Sequence, residues 1–115
     1  MNMLNIHCWN CMGVSRAETT NWIQNLLKKH NPYLVCLVES KAEASRVDRF
    51  YTKFARLWNW AAIAAEGYYG GIIVMWNRTI GNVTLIAKSR HALHLVITSP
   101  LLESWLFTTV YNRTH

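Results

Sequence analysis

The order of its apolar segments predicts that this chain adopts an α/β (α+β) fold built on mixed β-sheets. Two short apolar runs, at residues 3–9 and 33–38, flank a stretch with the apolar period of a helix. A strand, a crossover helix and a second strand of this kind form a parallel pair. Three later runs, at residues 83–87, 92–98 and 104–110, are separated by turn-like residues and predict an antiparallel meander.

The first predicted helix has both a start signal and a stop signal. Ser15 and Glu18 stand three residues apart, which fits a capping box with the serine as N-cap residue. Apolar side chains recur at helical spacing over residues 23–27. Asn31-Pro32 then ends the helix, because the residue before a proline disfavours helical geometry.

A second capping box predicts another helix directly after the second strand. Ser40 and Glu43 have the same spacing, and Val47, Phe50 and Phe54 then fall on one helical face. After this helix the pattern changes to strands. We expect an extended segment at residues 57–65, a glycine-containing turn at 66–71 and a short, wholly apolar strand at 72–76.

Length and composition limit the class of protein. At 115 residues the chain is long enough for one modest domain, residues 1–115. No apolar run reaches the roughly 20 residues of a membrane span, and the first seven residues lack a signal-peptide pattern. We therefore expect a nuclear or cytoplasmic protein that is not secreted and has no membrane partner. Three cysteines argue against a disulfide framework. The sequence does not indicate the oligomeric state.

The charge balance favours a polyanionic partner. Lysines and arginines number 12 against 6 acidic residues, which gives a net charge of +6 and a pI near 9.6. Nucleic acid is the simplest such partner, and a basic domain without one is the alternative. Arg46, Arg49, Lys53 and Arg56 follow at helical intervals, opposite the apolar face. This stripe predicts contacts with a phosphate backbone, and an ordinary solvated face is the alternative.

Asn10 and Glu39 each stand where an apolar strand ends. Because the carboxyl ends of parallel strands meet at one edge, where open α/β sheets bind ligands, we expect these side chains to lie close together. An amide oxygen and a carboxylate suit Mg²⁺ or Mn²⁺. Two plainer interpretations stay open. Asn10 could cap the following turn, and Glu39 could be a surface carboxylate beside Lys41.

Five segments together carry a family resemblance. They are WNCMG at residues 9–13, PYLVCLVESK at 32–41, GGIIVMW at 70–76, SRHALH at 89–94 and TVY at 109–111. In order and spacing they resemble the endonuclease/exonuclease/phosphatase superfamily, with the closest likeness to the endonuclease domains of plant non-LTR (LINE-type) retrotransposons.

The resemblance implies a four-layered α/β sandwich, in which two sheets pack face to face with helices outside. It implies Mg²⁺-dependent hydrolysis of phosphodiesters, with DNA favoured over RNA as the partner. A phosphatase of the same superfamily is a further alternative. Glu39 is implied as the direct metal ligand, Asn10 as the residue that orients phosphate or water beside the metal, and Tyr111 as a phosphate contact. By residue type alone, Tyr111 fits an aromatic side chain packed on the sheet.

The chain also departs from the family pattern. That pattern continues with an Asp-x-Asn segment and a final Asp-His pair, so we expect this chain to be an N-terminal fragment, truncated at its C-terminal side. Asp48 is the only aspartate, and Met12 replaces the arginine usual in the plant branch. Because phosphodiester cleavage needs a base as well as a metal, we expect little or no activity from the chain alone. A non-enzymatic basic remnant or nucleic-acid-binding module is the alternative.

Cys8 and Cys11 form a Cys-x-x-Cys pattern, which raises redox or zinc chemistry as alternatives. A redox pair belongs at the start of a helix, whereas here we expect Cys8 to face a core and the helix to begin later. His91 and His94 lie roughly 80 residues away, far from zinc-finger spacing. The sequence therefore disfavours both.

Overall fold

The mixed α/β architecture predicted from the sequence is confirmed. A computed structural model describes residues 6–11, 13–14, 17–54, 56–66, 70–89, 91–98 and 104–110. The elements follow in the order β1 (Ile6–Asn10), α1 (Ala17–His30), β2 (Leu34–Val38), α2 (Ala44–Thr52), β3 (Trp58–Ile63), β4 (Ile72–Asn77), β5 (Asn82–Lys88), β6 (Ala92–Thr98) and β7 (Trp105–Val110).

The first four strands form one sheet in the order β1-β2-β4-β3. β1 and β2 run parallel, with Cys8 opposite Cys36 and Asn10 opposite Val38, so the predicted parallel pair is confirmed. β4 is antiparallel to both β2 and β3. In the described part of the chain, β1 lies at one edge of this sheet.

The apolar runs of β2 and β4 are explained by burial on both faces of the sheet. Val35, Leu37 and Met75 belong to a core shared with the two helices. Their neighbours in the chain belong to a second core, which the four-stranded sheet shares with the three remaining strands. Those neighbours are Leu34, Cys36, Val74 and Trp76. Successive side chains of a strand point to opposite faces, so each strand serves both cores.

The last three strands form the predicted antiparallel meander, in the order β5-β6-β7. Leu93, Leu95 and Ile97 of β6 are fully buried against the four-stranded sheet. The opposite face of the meander leaves Leu106 and Val110 of β7 exposed. In the described residues the fold therefore has three layers, helices, sheet and sheet, and no fourth layer covers this outer face.

Each helix covers the four-stranded sheet with one side. Ile23 of α1 is fully buried, and its neighbour Trp22 stacks on Trp9 of β1 with ring centroids 4.0 Å apart. Val47 and Phe50 of α2 are buried in the same core. No helix in the described ranges is long and apolar enough to cross a membrane.

The predicted helix boundaries hold in one place and are wrong in another. α1 ends at His30 as predicted, and Asn31 follows in the left-handed region with φ 43°. Ser15, the N-cap predicted for α1, lies outside the described residues. The capping box predicted at Ser40 is wrong. α2 begins after Glu43, which makes no side-chain capping bond, and Ser40 lies buried in the preceding loop.

Candidate functional site

The two residues predicted to share a site lie at neighbouring strand ends. Asn10 is the last residue of β1 and is paired with Val38, the last residue of β2. Glu39 follows Val38 directly. Asn10 is exposed and Glu39 is half-buried. The parallel pairing thus brings the predicted amide and carboxylate to the same edge of the sheet.

Backbone hydrogen bonds join the two segments that follow these strands. The Gly13 amide donates to the Glu39 carbonyl at 2.9 Å, and the Val14 amide donates to the Ser40 carbonyl at 2.9 Å. These bonds extend the contact between β1 and β2 past the sheet itself. The position of Glu39 relative to the end of β1 is therefore set by the main chain.

The backbone around Glu39 is held in an unusual conformation. Glu39 and Lys41 have φ values of +54° and +53°, in the left-handed region that side chains other than glycine rarely adopt. Such residues cost about 1–3 kcal/mol each and concentrate at functional sites. The Ser40 amide donates to the Gly71 carbonyl at 3.1 Å, and the Lys41 amide donates to the Gly70 carbonyl at 2.9 Å. The glycine pair thus holds the loop that carries the carboxylate.

Ser40 and Gly71 form a close contact behind the carboxylate, which the sequence pattern did not reveal. Ser40 is fully buried, and its hydroxyl has no hydrogen-bond partner among the described residues. Gly71 has φ +88°, and a methyl group there would overlap the Ser40 hydroxyl and approach Ala65 to 3.3 Å. The contact needs both a small residue at 71 and a short side chain at 40.

The three described cysteines do not pair as the Cys-x-x-Cys pattern suggested. Cys8 is exposed, so the expectation that it faces a core is wrong, because β1 lies at the edge of its sheet. A hydrogen bond from the Cys36 thiol lowers the pKa of Cys8 to about 7. Cys11 is buried in the helix-side core, and burial raises the pKa of its thiol. Its thiol donates to the Val38 carbonyl at 3.5 Å.

Carboxylate and amide oxygens, the residue types at the strand ends, are of the kind that a hydrated hard cation binds. Glu39 supplies a carboxylate and Asn10 an amide oxygen, and Mg²⁺ is bound through one or two carboxylates together with water and substrate phosphate. Within the described ranges, no three His, Cys, Asp or Glu side chains gather as a metal site. Asp48, the only aspartate, is exposed on α2 and lines a separate cavity with Trp60 and Lys88.

The predicted basic stripe is divided between a helix and the turn that follows it. Arg46 and Arg49 lie on α2, Lys53 is its C-cap residue and Arg56 lies beyond the helix. All four are exposed. The prediction of one helical stripe is therefore wrong for Arg56, because α2 ends before the chain turns into β3.

Two cavities border these cations, and Lys53 lines both. Arg46, Arg49 and Lys53 line a cavity of about 240 Å³ together with Val14 and Phe50. Arg56 and Lys53 line a second cavity of about 340 Å³, with Lys28 of α1 and the apolar side chains of Leu27, Phe54, Leu57 and Trp58. Val14 bonds to the Ser40 carbonyl, so the first cavity adjoins the loop that follows Glu39.

Tyr111 lies outside the described residues, and its predicted phosphate contact stays a prediction. The strand before it ends at Val110. Thr109, one residue earlier, is buried with its hydroxyl oxygen 3.0 Å from the Cys36 sulfur of β2.

Comparison with known proteins confirms the fold implied by the sequence resemblance. No protein-family model matches this sequence, and neither does any curated protein. The crystal structure of the AP endonuclease LMAP from Leishmania major covers 90% of this chain with a TM-score of 0.69 and 12% identity. The 3'-5' exonuclease NExo from Neisseria meningitidis covers 82% with a TM-score of 0.62 and 17% identity. This chain spans 38% of the length of each. At these identities the likeness shows the fold alone, which this chain shares with the two nucleases.

Proposed function

We propose that this chain carries the N-terminal part of a site for divalent-metal-assisted phosphodiester hydrolysis, with DNA as the substrate. The observation that carries the proposal is that Asn10 ends β1 opposite Val38 of the parallel strand β2, and that Glu39 follows Val38 directly. The fold shared with an AP endonuclease and an exonuclease supports it. The finer assignment, an endonuclease of retrotransposon type, rests on the sequence resemblance.

In this proposal Glu39 holds Mg²⁺ or Mn²⁺ at the edge of the sheet. A bound ion of this kind neutralises phosphate charge and lowers the pKa of a coordinated water. Asn10 has both a donor and an acceptor in its amide, so it can orient a phosphate oxygen or a water molecule. Tyr111 is proposed to contact the same phosphate. Backbone hydrogen bonds from Gly13, Ser40 and Lys41 hold the main chain that carries Glu39.

The basic cavity supports nucleic acid as the substrate class. Arg46, Arg49 and Lys53 surround a space of about 240 Å³ that adjoins the loop after Glu39. Arginine and lysine bind phosphate through charge-assisted hydrogen bonds. A nucleic-acid strand whose backbone follows these cations, and continues toward Arg56, would bring a neighbouring phosphodiester to the strand ends.

A binding module without hydrolytic activity is the second candidate function. One observation favours it. Within the described residues no three His, Cys, Asp or Glu side chains gather as a metal site, and the general acid–base help that such groups supply is worth roughly 10²–10⁴ in rate. A supercoiled-plasmid nicking assay with Mg²⁺ separates the two candidates. Nicking abolished by Glu39→Gln supports hydrolysis, whereas DNA binding without nicking supports the module.

The metal assignment is tested by comparing two carboxylates in one loop. Glu39→Gln keeps the shape of the side chain and removes the charge that a hard cation requires, so it should weaken Mn²⁺ binding measured by water-proton relaxation. Glu43→Gln, four residues along and exposed, should leave the affinity unchanged. Equal Mn²⁺ affinities in both variants and the unmodified chain would show that Glu39 is not the metal ligand.

The nucleic-acid surface is tested by the salt dependence of duplex DNA binding. Each neutralised phosphate contributes roughly −0.9 to the slope of log K against log salt, so Arg49→Ala/Lys53→Ala should flatten the slope by about 2. Lys29→Ala/Lys88→Ala removes the same charge away from the two cavities that border the stripe and is the matched control. Lys53 also donates a hydrogen bond to Thr20 at 3.5 Å, so the folded fraction is matched first. Equal slopes in the two double variants would mean that only the net charge of the protein matters and that this surface is not a DNA-binding site.

A further inference from the structure

We propose that Cys8 and Cys36 are a dithiol pair that a hydroperoxide oxidises to a reversible disulfide between β1 and β2. This modification site does not depend on the proposed hydrolysis, because its chemistry needs only the two thiols and the oxidant.

Strand register places the two cysteines side by side. Cys8 and Cys36 are direct partners in the parallel ladder. Neighbouring strands lie roughly 4.7–4.9 Å apart, within the roughly 4.4–6.8 Å between Cα atoms that a disulfide requires. Side chains of direct partners lie on the same face of a sheet, so the two sulfur atoms can meet without a change of register.

The two thiols have complementary surroundings. Cys8 is exposed on the edge strand, whereas Cys36 is 1% exposed beneath the second sheet. The Cys36 sulfur also lies 3.0 Å from the Thr109 hydroxyl oxygen. The result is an accessible nucleophile with a protected thiol next to it.

The reaction balances with a hydroperoxide as the two-electron oxidant. The Cys8 sulfur attacks the peroxide and breaks the O–O bond, which gives a sulfenic acid on Cys8 and releases water or an alcohol. The Cys36 sulfur then attacks the Cys8 sulfur, an S–S bond forms and the S–O bond breaks. The departing oxygen takes the Cys36 proton and leaves as water. A dithiol reductant reverses the change by thiol–disulfide exchange.

Cys11 is close in sequence but is excluded by its position in the fold. Its side chain belongs to the core on the helix side of the sheet, whereas Cys36 belongs to the core between the two sheets. Cys8 shares the face of Cys36, because they are direct partners. In the folded chain, therefore, Cys8 and Cys11 lie on opposite sides of the sheet.

The test is the disulfide connectivity of the folded chain after treatment with hydrogen peroxide. Remaining thiols are alkylated, and the digested peptides are mapped by mass spectrometry. A Cys8–Cys36 link should form in the unmodified chain and in Cys11→Ser to the same extent, and should be absent in Cys8→Ser. A Cys8–Cys11 link, or dimers joined through Cys8, would overturn the proposal.

Two further measurements test whether the fold, rather than the intrinsic reactivity of the thiols, determines which cysteines pair. In denaturing urea the connectivity should change toward Cys8–Cys11, because closing the shorter loop costs less chain entropy; unchanged connectivity would mean that strand register is not the cause. In Cys36→Ala, the sulfenic acid on Cys8 should persist and be trapped by a cyclic 1,3-dione. If Cys36→Ala traps no more sulfenic acid than the unmodified chain, Cys36 is not the resolving thiol.

Discussion

Gly71 is the position at which one added methyl group should disturb the candidate site most directly. Its carbonyl accepts the Ser40 amide at 3.1 Å, so it holds the loop that carries Glu39. A Cβ at this position would overlap the Ser40 hydroxyl and lie 3.3 Å from both the Cβ and the amide nitrogen of Ala65. We expect Gly71→Ala to destabilise the chain and to displace the loop after β2.

The expected loss combines two separate costs. With φ at +88°, an alanine at Gly71 has a left-handed backbone penalty of roughly 1–2 kcal/mol. Overpacking against Ser40 and Ala65 adds roughly 1–3 kcal/mol. The total, about 2–5 kcal/mol, is a large fraction of the roughly 6–17 kcal/mol expected for a domain of this length.

A second substitution separates the two costs. Ser40→Ala removes a buried hydroxyl that has no partner among the described residues, so alone it should be neutral or stabilising. Combined with Gly71→Ala it should recover the part of the loss that comes from the hydroxyl contact, a coupling of roughly 0.5–3 kcal/mol. The backbone penalty and the contact with Ala65 should remain.

Urea unfolding followed by tryptophan fluorescence measures these differences as shifts in the midpoint. Gly81→Ala is the control for backbone strain, because Gly81 has φ +124° in the connection between β4 and β5. If Gly71→Ala loses no more stability than Gly81→Ala, the close packing around Gly71 has no cost of its own. If Ser40→Ala recovers none of the loss, the Ser40 hydroxyl is not the group that the added methyl meets.

Two further predictions concern the edge strand and the open face of the meander. Hydrogen bonding lowers the pKa of Cys8 from 9.0 to about 7, so its alkylation rate should rise with a midpoint near pH 7 and shift toward 9 in Cys36→Ala. Because folding lowers this pKa, ionisation of Cys8 stabilises the folded chain at pH values above the pKa that Cys8 has in the unfolded chain. That contribution is lost as the pH falls through about 7. Leu106→Thr/Val110→Thr replaces two exposed apolar side chains with threonine, a polar residue that is common in strands. It should slow aggregation measured by light scattering and change stability by less than roughly 0.5 kcal/mol.

The parallel pair and the strand-end positions of Asn10 and Glu39 could be predicted because the sequence signals are local and mutually consistent. An apolar run, a helical period and a second apolar run leave few connections available. Once the strands are parallel, Asn10 and Glu39 must end at the same edge. The position of Glu39 directly after β2 therefore agrees with the structure, its role as a metal ligand stays a prediction, and nothing local indicated its left-handed backbone.

The interpretation of Ser40 failed because a long-range contact determines its role. The spacing of Ser40 and Glu43 is that of a capping box, yet the Ser40 amide and carbonyl bond to Gly71 and Val14. Each of these partners is more than 25 residues away in sequence. The spacing of two nearby residues does not indicate hydrogen bonds to residues this far away in sequence. Such tertiary contacts outweigh the stabilisation that a helix cap provides, about 1 kcal/mol.

The edge strand β1 links the candidate metal site to the thiol pair through a single register. Successive side chains of β1 alternate between the two faces of the sheet, so a slip of one residue would move Asn10 and Cys8 together to the opposite face. Trp9 opposes such a slip, because its ring stacks on Trp22 of α1 on the helix side. A disulfide from Cys8 to Cys36 would fix the same register covalently, two residues before Asn10. Oxidation should therefore hold the candidate site in its folded register rather than disrupt it.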